Sequence, residues 1–480
     1  MAHIVSGVSL PDSPGSTRFS FPWKLSLTLY GLSFLPNLLS MNALFWDDWT
    51  WFNHQTGKLL KANYTGSGNA PWRTWIEIYV FQSSLPVFRI VSLIGYFAVG
   101  YFLFHILKRS KLFNAHQLVA ITLLFLVIPV NSARISIANN KYGVDLFFFF
   151  LACYLYETKS HKLAKVFAFV FFFMSYSTLP FPTFTLLPIL YHVMLKSPKN
   201  TREYIREFAN TIPLMLLPIC YLALRQIYWP PMGGLVDMYT PQVSGIARSL
   251  IFVLICSIPL ALLLASAKFR GIVKPNLLVA AGCFSVSIAA VPYMVGGRLV
   301  DISDWLIAFV PNFSDWDSRN QLTLPLGIAL IVVGSMKMEK VEKLRWNTYP
   351  VLTTVFAVCV VLNLTFAQEH FLDSRKQVAV VEAMASNPDL KSVRAIYVDD
   401  QAIRFNSRGR LIRSYEWEGM LDKALGTKSI RVSYLQYPNC KEFKPDAIVH
   451  ISSPNGRLES TLRGKVVIDL SVEKIDPCNN

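Results

Sequence analysis

"VFRIVSLIGYFAVGYFLFHILKRSK" occupies positions 87–111, an apolar run that ends abruptly in Lys108, Arg109 and Lys111. At 1.5 Å per residue, a helix of about twenty such residues crosses the ~30 Å hydrocarbon core of a bilayer. Comparable runs recur near 24–43, 116–132, 143–156, 163–179, 181–195, 208–225, 247–266, 276–295, 321–336 and 348–367. The 480 residues are 53% hydrophobic and 16% charged, where a soluble chain carries about 25% charge. The expected class is therefore a polytopic α-helical membrane protein of about eleven transmembrane helices.

The net charge of +16 is gathered in short loops. "LKRSK" (107–111), "ETKSHKLAK" (157–165), "KSPKNTREYIRE" (196–207), "KFRGIVK" (268–274) and "KMEKVEKLR" (337–345) alternate with loops poor in cations. Such an arrangement is what topology requires of a multi-pass protein and gives no reason to expect nucleic acid. The cationic loops are expected in the cytoplasm, with the N-terminus, and everything beyond 368 on the other side of a cell (inner) membrane. Positions 1–22 lack a basic region, short apolar core and cleavage site, so the first helix is expected to remain as an anchor.

Three regions follow: a cytoplasmic tail (1–22), a multi-span domain (23–367) with loops 45–86, 225–247 and 296–320 on the outer side, and a C-terminal extracytoplasmic domain (368–480). In the last, "VRAIYVDD", "IRVSYLQY", "AIVHIS" and "KVVIDLS" read as strands between polar turns, with helices near 372–386 and 416–425. A small α/β domain is expected there. Cys153, Cys220, Cys256, Cys283 and Cys359 fall inside apolar runs, which leaves Cys440 and Cys478 as the one plausible disulfide pair, or as two free thiols.

The first outer loop opens with "MNALFWDDWTWFN" (41–53). Its tryptophans, with Trp72 and Trp75, suit the headgroup level, and an aromatic belt accounts for them as well as a binding surface does. A belt does not account for Asp47 and Asp48. Carboxylates at the end of an apolar helix lose hydration beside the helix's partly negative C-terminus. They are tolerated where they gain an ion, a substrate hydroxyl or an arginine partner, a solvated pair bridged to a loop arginine being the plainer reading.

Adjacent aspartates just after the first span, the many spans and a C-terminal outer domain resemble the membrane-embedded (C-type, GT-C-like) glycosyltransferases. Within these, the chain looks most like the bacterial serotype-converting O-antigen glucosyltransferases. The resemblance implies transfer of one sugar, a hexose such as glucose, from a polyprenyl-phosphate donor to a surface polysaccharide or lipid-linked glycan, as in O-antigen modification of lipopolysaccharide. It also implies that Asp47 or Asp48 takes the proton of the acceptor hydroxyl, with Asp47 favoured because it is nearer the helix. Trp46, Trp49, His54 and Trp72 would then line the substrate. The phosphate leaving group calls for cations: Arg319 first, then Arg298 and Arg134, with Arg73, Lys141 and Arg225, each of which has a lipid headgroup or a nearby aspartate as its alternative partner. No cofactor is expected. His54 with two adjacent carboxylates is a weak signal for a divalent metal, and there is no Gly-rich phosphate loop.

A transporter or flippase of a lipid-linked glycan is the main rival; it would show ionisable residues at mid-membrane, where Asp145 is the chief exception to nearly uncharged runs. A glycan ligase and a multi-span anchor for the C-terminal domain are weaker ones.

Overall fold

The computed structural model describes residues 20–49, 66–75, 85–178, 180–196, 201–232, 243–266, 275–295, 318–319, 321–336, 348–426, 430–433 and 445–474. These residues are mostly helical. Four helices among them are long and apolar enough to cross a membrane: Leu85–Ser110, Ile205–Tyr228, Pro275–Pro292 and Pro350–Ser386. They answer to the runs expected at 87–107, 208–225, 276–295 and 348–367, and they mark a multi-pass membrane protein.

Several other apolar runs form shorter or interrupted helices. The run at 24–43 is α1 (Trp23–Phe34), followed by a 3₁₀ segment, Leu35–Ser40, with Pro36 in its first turn. Proline offers no N–H to the preceding turn, so the regular ladder stops there. The run at 181–195 divides in the same proline-rich way into Pro180–Phe184 and Leu186–Lys196. Ala115–Val127 and Leu324–Ser335 are apolar but short.

The chain forms two compact units. The first takes in Met1–Ser33, Lys61–Arg134 and Asn139–Asn363. Within it, α2 (Leu85–Ser110) packs on α3 (Ala115–Val127) and α4 (Asn140–Thr158), and α4 packs on α5 (Lys162–Ser175). Asn114 caps α3: its side chain accepts from the Gln117 amide while the Gln117 side chain accepts from the Asn114 amide. After α6 (Pro180–Phe184), α7 (Leu186–Lys196), α8 (Thr201–Ala209), α9 (Ile212–Tyr228) and α10 (Val243–Ser266), α11 (Pro275–Val295) lies against both α10 and α12 (Leu324–Ser335). The α11–α12 contact depends on glycine. A Cβ at Gly282 would come 2.7 Å from the Gly327 carbonyl oxygen, and one at Gly327 would come 2.6 Å from the Val286 side chain. Small residues let the two backbones meet, as is general between helices in a bilayer.

The second unit comprises Phe34–Leu60, Ile135–Ala138 and Leu364–Asn480. The WDDW turn thus packs with the C-terminal residues. A separate helix near 372–386 is not what forms; the 39-residue α13 (Thr348–Ser386) runs without a break through that region. The reason is local: "QEHFLDSRKQVAVVEAMAS" contains neither glycine nor proline and is rich in good helix formers, so nothing stops the helix when the apolar run ends. The sheet is four-stranded and mixed, in the order β2-β1-β3-β4. β1 (Ala395–Asp400) lies parallel to β2 (Arg431–Ser433) and to β3 (Ala447–Ser452), and β4 (Asp469–Glu473) closes it antiparallel to β3. Alternate residues Ile396 and Val398 of β1, and Ala447, Val449 and Ile451 of β3, point into the core. Trp417, Met420 and Leu421 of α14 (Ser414–Leu425) are also buried. Gly426, at φ +67°, ends α14 in the left-handed conformation that glycine adopts freely.

Candidate functional site

The two aspartates share a turn but not an environment. Asp48 is 1% exposed. Its Oδ1 accepts from the Ser136 hydroxyl at 2.7 Å and the Ala138 amide at 2.8 Å; its Oδ2 accepts from the Phe45 amide at 3.0 Å and the Ile137 amide at 3.1 Å. A carboxylate has about four lone-pair positions, and these four donors use them. Asp48 is a clamp between the 45–49 turn and the 135–138 segment. Asp47 is only half-buried.

Trp46 precedes them at φ +52°, a left-handed conformation rare for a bulky residue, which has to be held by its surroundings. Those surroundings come from the C-terminal residues. The Trp46 ring lies edge-on to His370 and beneath the Arg410 guanidinium, 5.4 Å from the ring centroid. The Trp49 indole N–H donates to Gln377 at 2.8 Å, and Gln377 donates to Asp373 at 2.7 Å. Arg410 reaches Asp373 at 3.4 Å and forks onto both oxygens of Glu416 at 2.8 and 2.9 Å. Burial works against the Arg410 charge, but Glu416 and Asp373 outweigh it and hold the guanidinium above its ordinary pKa. Both carboxylates are buried, so their pairing is required.

Next to Glu416 stands Tyr415, whose phenol lies close enough to Asp47 to feel its charge. Burial pushes the Tyr415 phenol well above its usual pKa, and the neighbouring Asp47 charge pushes it further. Gly419 allows the close approach: a Cβ there would come 2.9 Å from the Trp49 Cβ. Trp46 (5% exposed) and Trp49 (2%) are thus packed within the second unit. Trp72 is half-buried.

The proposed phosphate cations divide into two kinds. Arg73 and Arg225 are turned inward. Arg73 pairs with Asp145 at 3.4 Å, both side chains being at most 1% exposed, and Asp145 also accepts from Ser177 at 2.6 Å and from Thr178. Arg225 donates to the Gly68 carbonyl at 2.9 Å and the Ser67 carbonyl at 3.2 Å, fixing the 66–70 turn. By contrast Arg134, Lys141 and Arg319 are half-buried. Arg134 lies 5.0 Å from the Tyr96 ring centroid, Lys141 lies 5.4 Å from that of Tyr142, and Arg319 donates to the Tyr142 hydroxyl at 3.2 Å. The Ser318 hydroxyl accepts from the Ala133 amide at 3.0 Å, which brings the Arg134 and Arg319 segments together. A cavity of about 20 Å³ lined by Tyr30, Tyr96, Asn131, Arg134 and Gln321 lies here, room for about one water molecule.

Compared with protein-family models, curated proteins and solved structures, the chain matches none. His54, Arg298, Cys440 and Cys478 lie outside the described residues. Among the described residues no group of three or more His, Cys, Asp or Glu is placed to hold a metal ion. Tyr415, Arg410, Gln377 and Ser136 escaped sequence reasoning. They stand about 90 to 370 positions from the aspartates, and no spacing rule links residues so far apart.

Proposed function

We propose that the protein is an integral membrane glycosyltransferase that moves a single hexose from a polyprenyl-phosphate donor to a surface polysaccharide or lipid-linked glycan at the outer face of a cell membrane. The observation that carries this reading is the asymmetry of the aspartate pair. Asp48 is saturated and buried, and so holds the turn. Asp47 is only half-buried, and a carboxylate so placed can meet an acceptor hydroxyl as a general base must. The acceptor hydroxyl would give its proton to Asp47 as its oxygen bonds to the anomeric carbon and the carbon–oxygen bond to the donor phosphate breaks.

The first unit, taken by itself, carries half-buried cations, Arg134, Lys141 and Arg319, of the kind that a lipid phosphate calls for. An apolar groove of about 120 Å³ in the first unit, lined by Leu103, Phe149, Cys153, Leu277, Leu326 and Leu330 among others, suits part of an isoprenoid chain. In this reading all eleven apolar runs, including the short and interrupted helices, lie within the bilayer, with the cationic loops in the cytoplasm.

The test is surface-glycan composition in cells carrying Asp47→Asn or Asp48→Asn at normal membrane levels. Asp47→Asn is expected to lower decoration about 10²-fold or more, the usual size of a lost general base. Full decoration with Asp47→Asn, where deletion of the whole chain removes it, sinks the base assignment. The buried Arg73–Asp145 pair is the one observation that favours the second reading, a transporter or flippase of a lipid-linked glycan. Under it, Asp145→Asn blocks export of the glycan while Asp47→Asn does not.

A further inference from the structure

Among the described residues of the second unit, the short helix α15 (Arg457–Arg463) carries the most exposed large apolar side chains, Leu458 at 73% and Leu462 at 79%. Four residues apart, they share one face. Ser460, on the opposite side, is fully buried. Two such leucines on a short helix call for something to cover them.

The attachment of α15 says what that is. Gln368 donates to the Thr461 hydroxyl at 3.3 Å, Glu369 pairs with Arg457 at 3.4 Å, and a Cβ on Gly464 would come 3.9 Å from the Phe371 ring. All three partners sit on α13 at the point where "VLTTVFAVCVVLNLTFA" (351–367) gives way to "QEHFLDSRKQ" (368–377). That is the level at which a membrane-crossing helix leaves hydrocarbon for headgroups. The same level holds Arg408, whose guanidinium lies 5.3 Å from the centroid of the Phe366 ring and whose amide donates to Glu369 at 3.2 Å. Arg463, exposed at the end of α15, pairs with Glu459 one turn back at 2.9 Å, and Lys465 follows, also exposed. Exposed leucines flanked by long cationic side chains are the composition of an interfacial element: the apolar chains enter the acyl boundary while guanidinium and ammonium groups stay with lipid phosphates.

We propose that α15 docks on the bilayer surface, with Leu458 and Leu462 among the lipids and Arg408, Arg457, Arg463 and Lys465 at the phosphate level. The partner is an anionic lipid surface. The proposal needs only the membrane-crossing α13 and stands whatever reaction the protein performs. Its effect is to tie the C-terminal residues to the membrane at a second point, so that they do not swing on α13 alone.

The test is photo-crosslinking in the full-length protein, purified into nanodiscs of phosphatidylethanolamine and phosphatidylglycerol. p-Benzoylphenylalanine replaces Leu458, Leu462 or the exposed Lys391, and adducts are identified by mass spectrometry. Lys391 follows the end of α13, about 28 Å along the helix from the last apolar residue at 1.5 Å per residue. Elution of each variant at the parent volume shows that it is folded. Phospholipid adducts at 458 and 462 at least fivefold above those at 391 support the proposal. Lipid adducts no more frequent than at 391, or adducts to a second chain in place of lipid, overturn it.

Discussion

At the scale of single residues, neighbours in sequence have opposite duties. Asp48 has four donors around a buried carboxylate, and each donor left without an acceptor costs about 1–3 kcal/mol. Asp48→Ala is therefore expected to lower the thermal unfolding temperature of the purified protein clearly, whereas Asp47→Asn leaves it nearly unchanged while abolishing glycan decoration. Equal unfolding temperatures for the two would contradict the division of roles. Gly68 provides a second residue-level test. It lies at φ +72°, and a Cβ would come 2.7 Å from the Arg225 guanidinium. Gly68→Ala is expected to destabilise by about 1–3 kcal/mol, the usual strain of a misplaced backbone, measured by the same thermal scan.

At the scale of elements, helix contact in the first unit depends on small residues where sequence hydropathy registers only apolarity. Gly327→Leu forces side-chain atoms into the α11 backbone at Gly282, and overpacking of this kind costs about 1–3 kcal/mol or more. The expected result is reduced membrane abundance and a lower unfolding temperature, while Gly456→Ala, where a Cβ meets nothing within 4 Å, changes neither. In the second unit the junction between α13, α14 and the WDDW turn is ionic. Arg410→Ala would leave the carboxylates of Asp373 and Glu416 buried without their shared cation, at a cost of about 3–5 kcal/mol, and would free the Trp46 ring. Under the proposed function, glycan decoration should fall with it; retained stability in denaturant titration would argue against the network.

At the scale of the whole molecule, stability is expected to depend on pH through a cluster on the solvent-facing side of the sheet. His450 on β3 lies 2.9 Å from Asp399 on β1 and 3.3 Å from Glu473 on β4. The hydrogen bond to Asp399 raises its pKa above 6.5, burial opposes this weakly, and Glu473 adds to the rise. A group whose folded pKa is raised stabilises fully below its unfolded value, and that contribution disappears as pH rises through the folded value. The difference in unfolding temperature between the parent and His450→Gln should be present at pH 5.5 and shrink towards pH 8.5. The effect should be modest, because the imidazole is a third exposed. A difference independent of pH would show that packing, not charge, is at work.

Much of the architecture was legible because hydropathy is a local quantity. An apolar run such as 87–107 announces a crossing helix by itself, and alternation in "AIVHIS" announces a strand by itself. "DD" at the end of the first run likewise drew attention to its turn, since carboxylates there need a reason. The amino-acid sequence alone thus determined the membrane class and the C-terminal sheet. Tertiary structure alone decided which aspartate is a clamp and which is half-buried, that Arg73 and Arg225 are buried while Arg134, Lys141 and Arg319 are half-buried, and that the WDDW turn packs with residues more than 300 positions away. The physical reason is that burial and hydrogen-bond saturation are properties of a neighbourhood in space, and for Asp48 that neighbourhood is three residues from another loop.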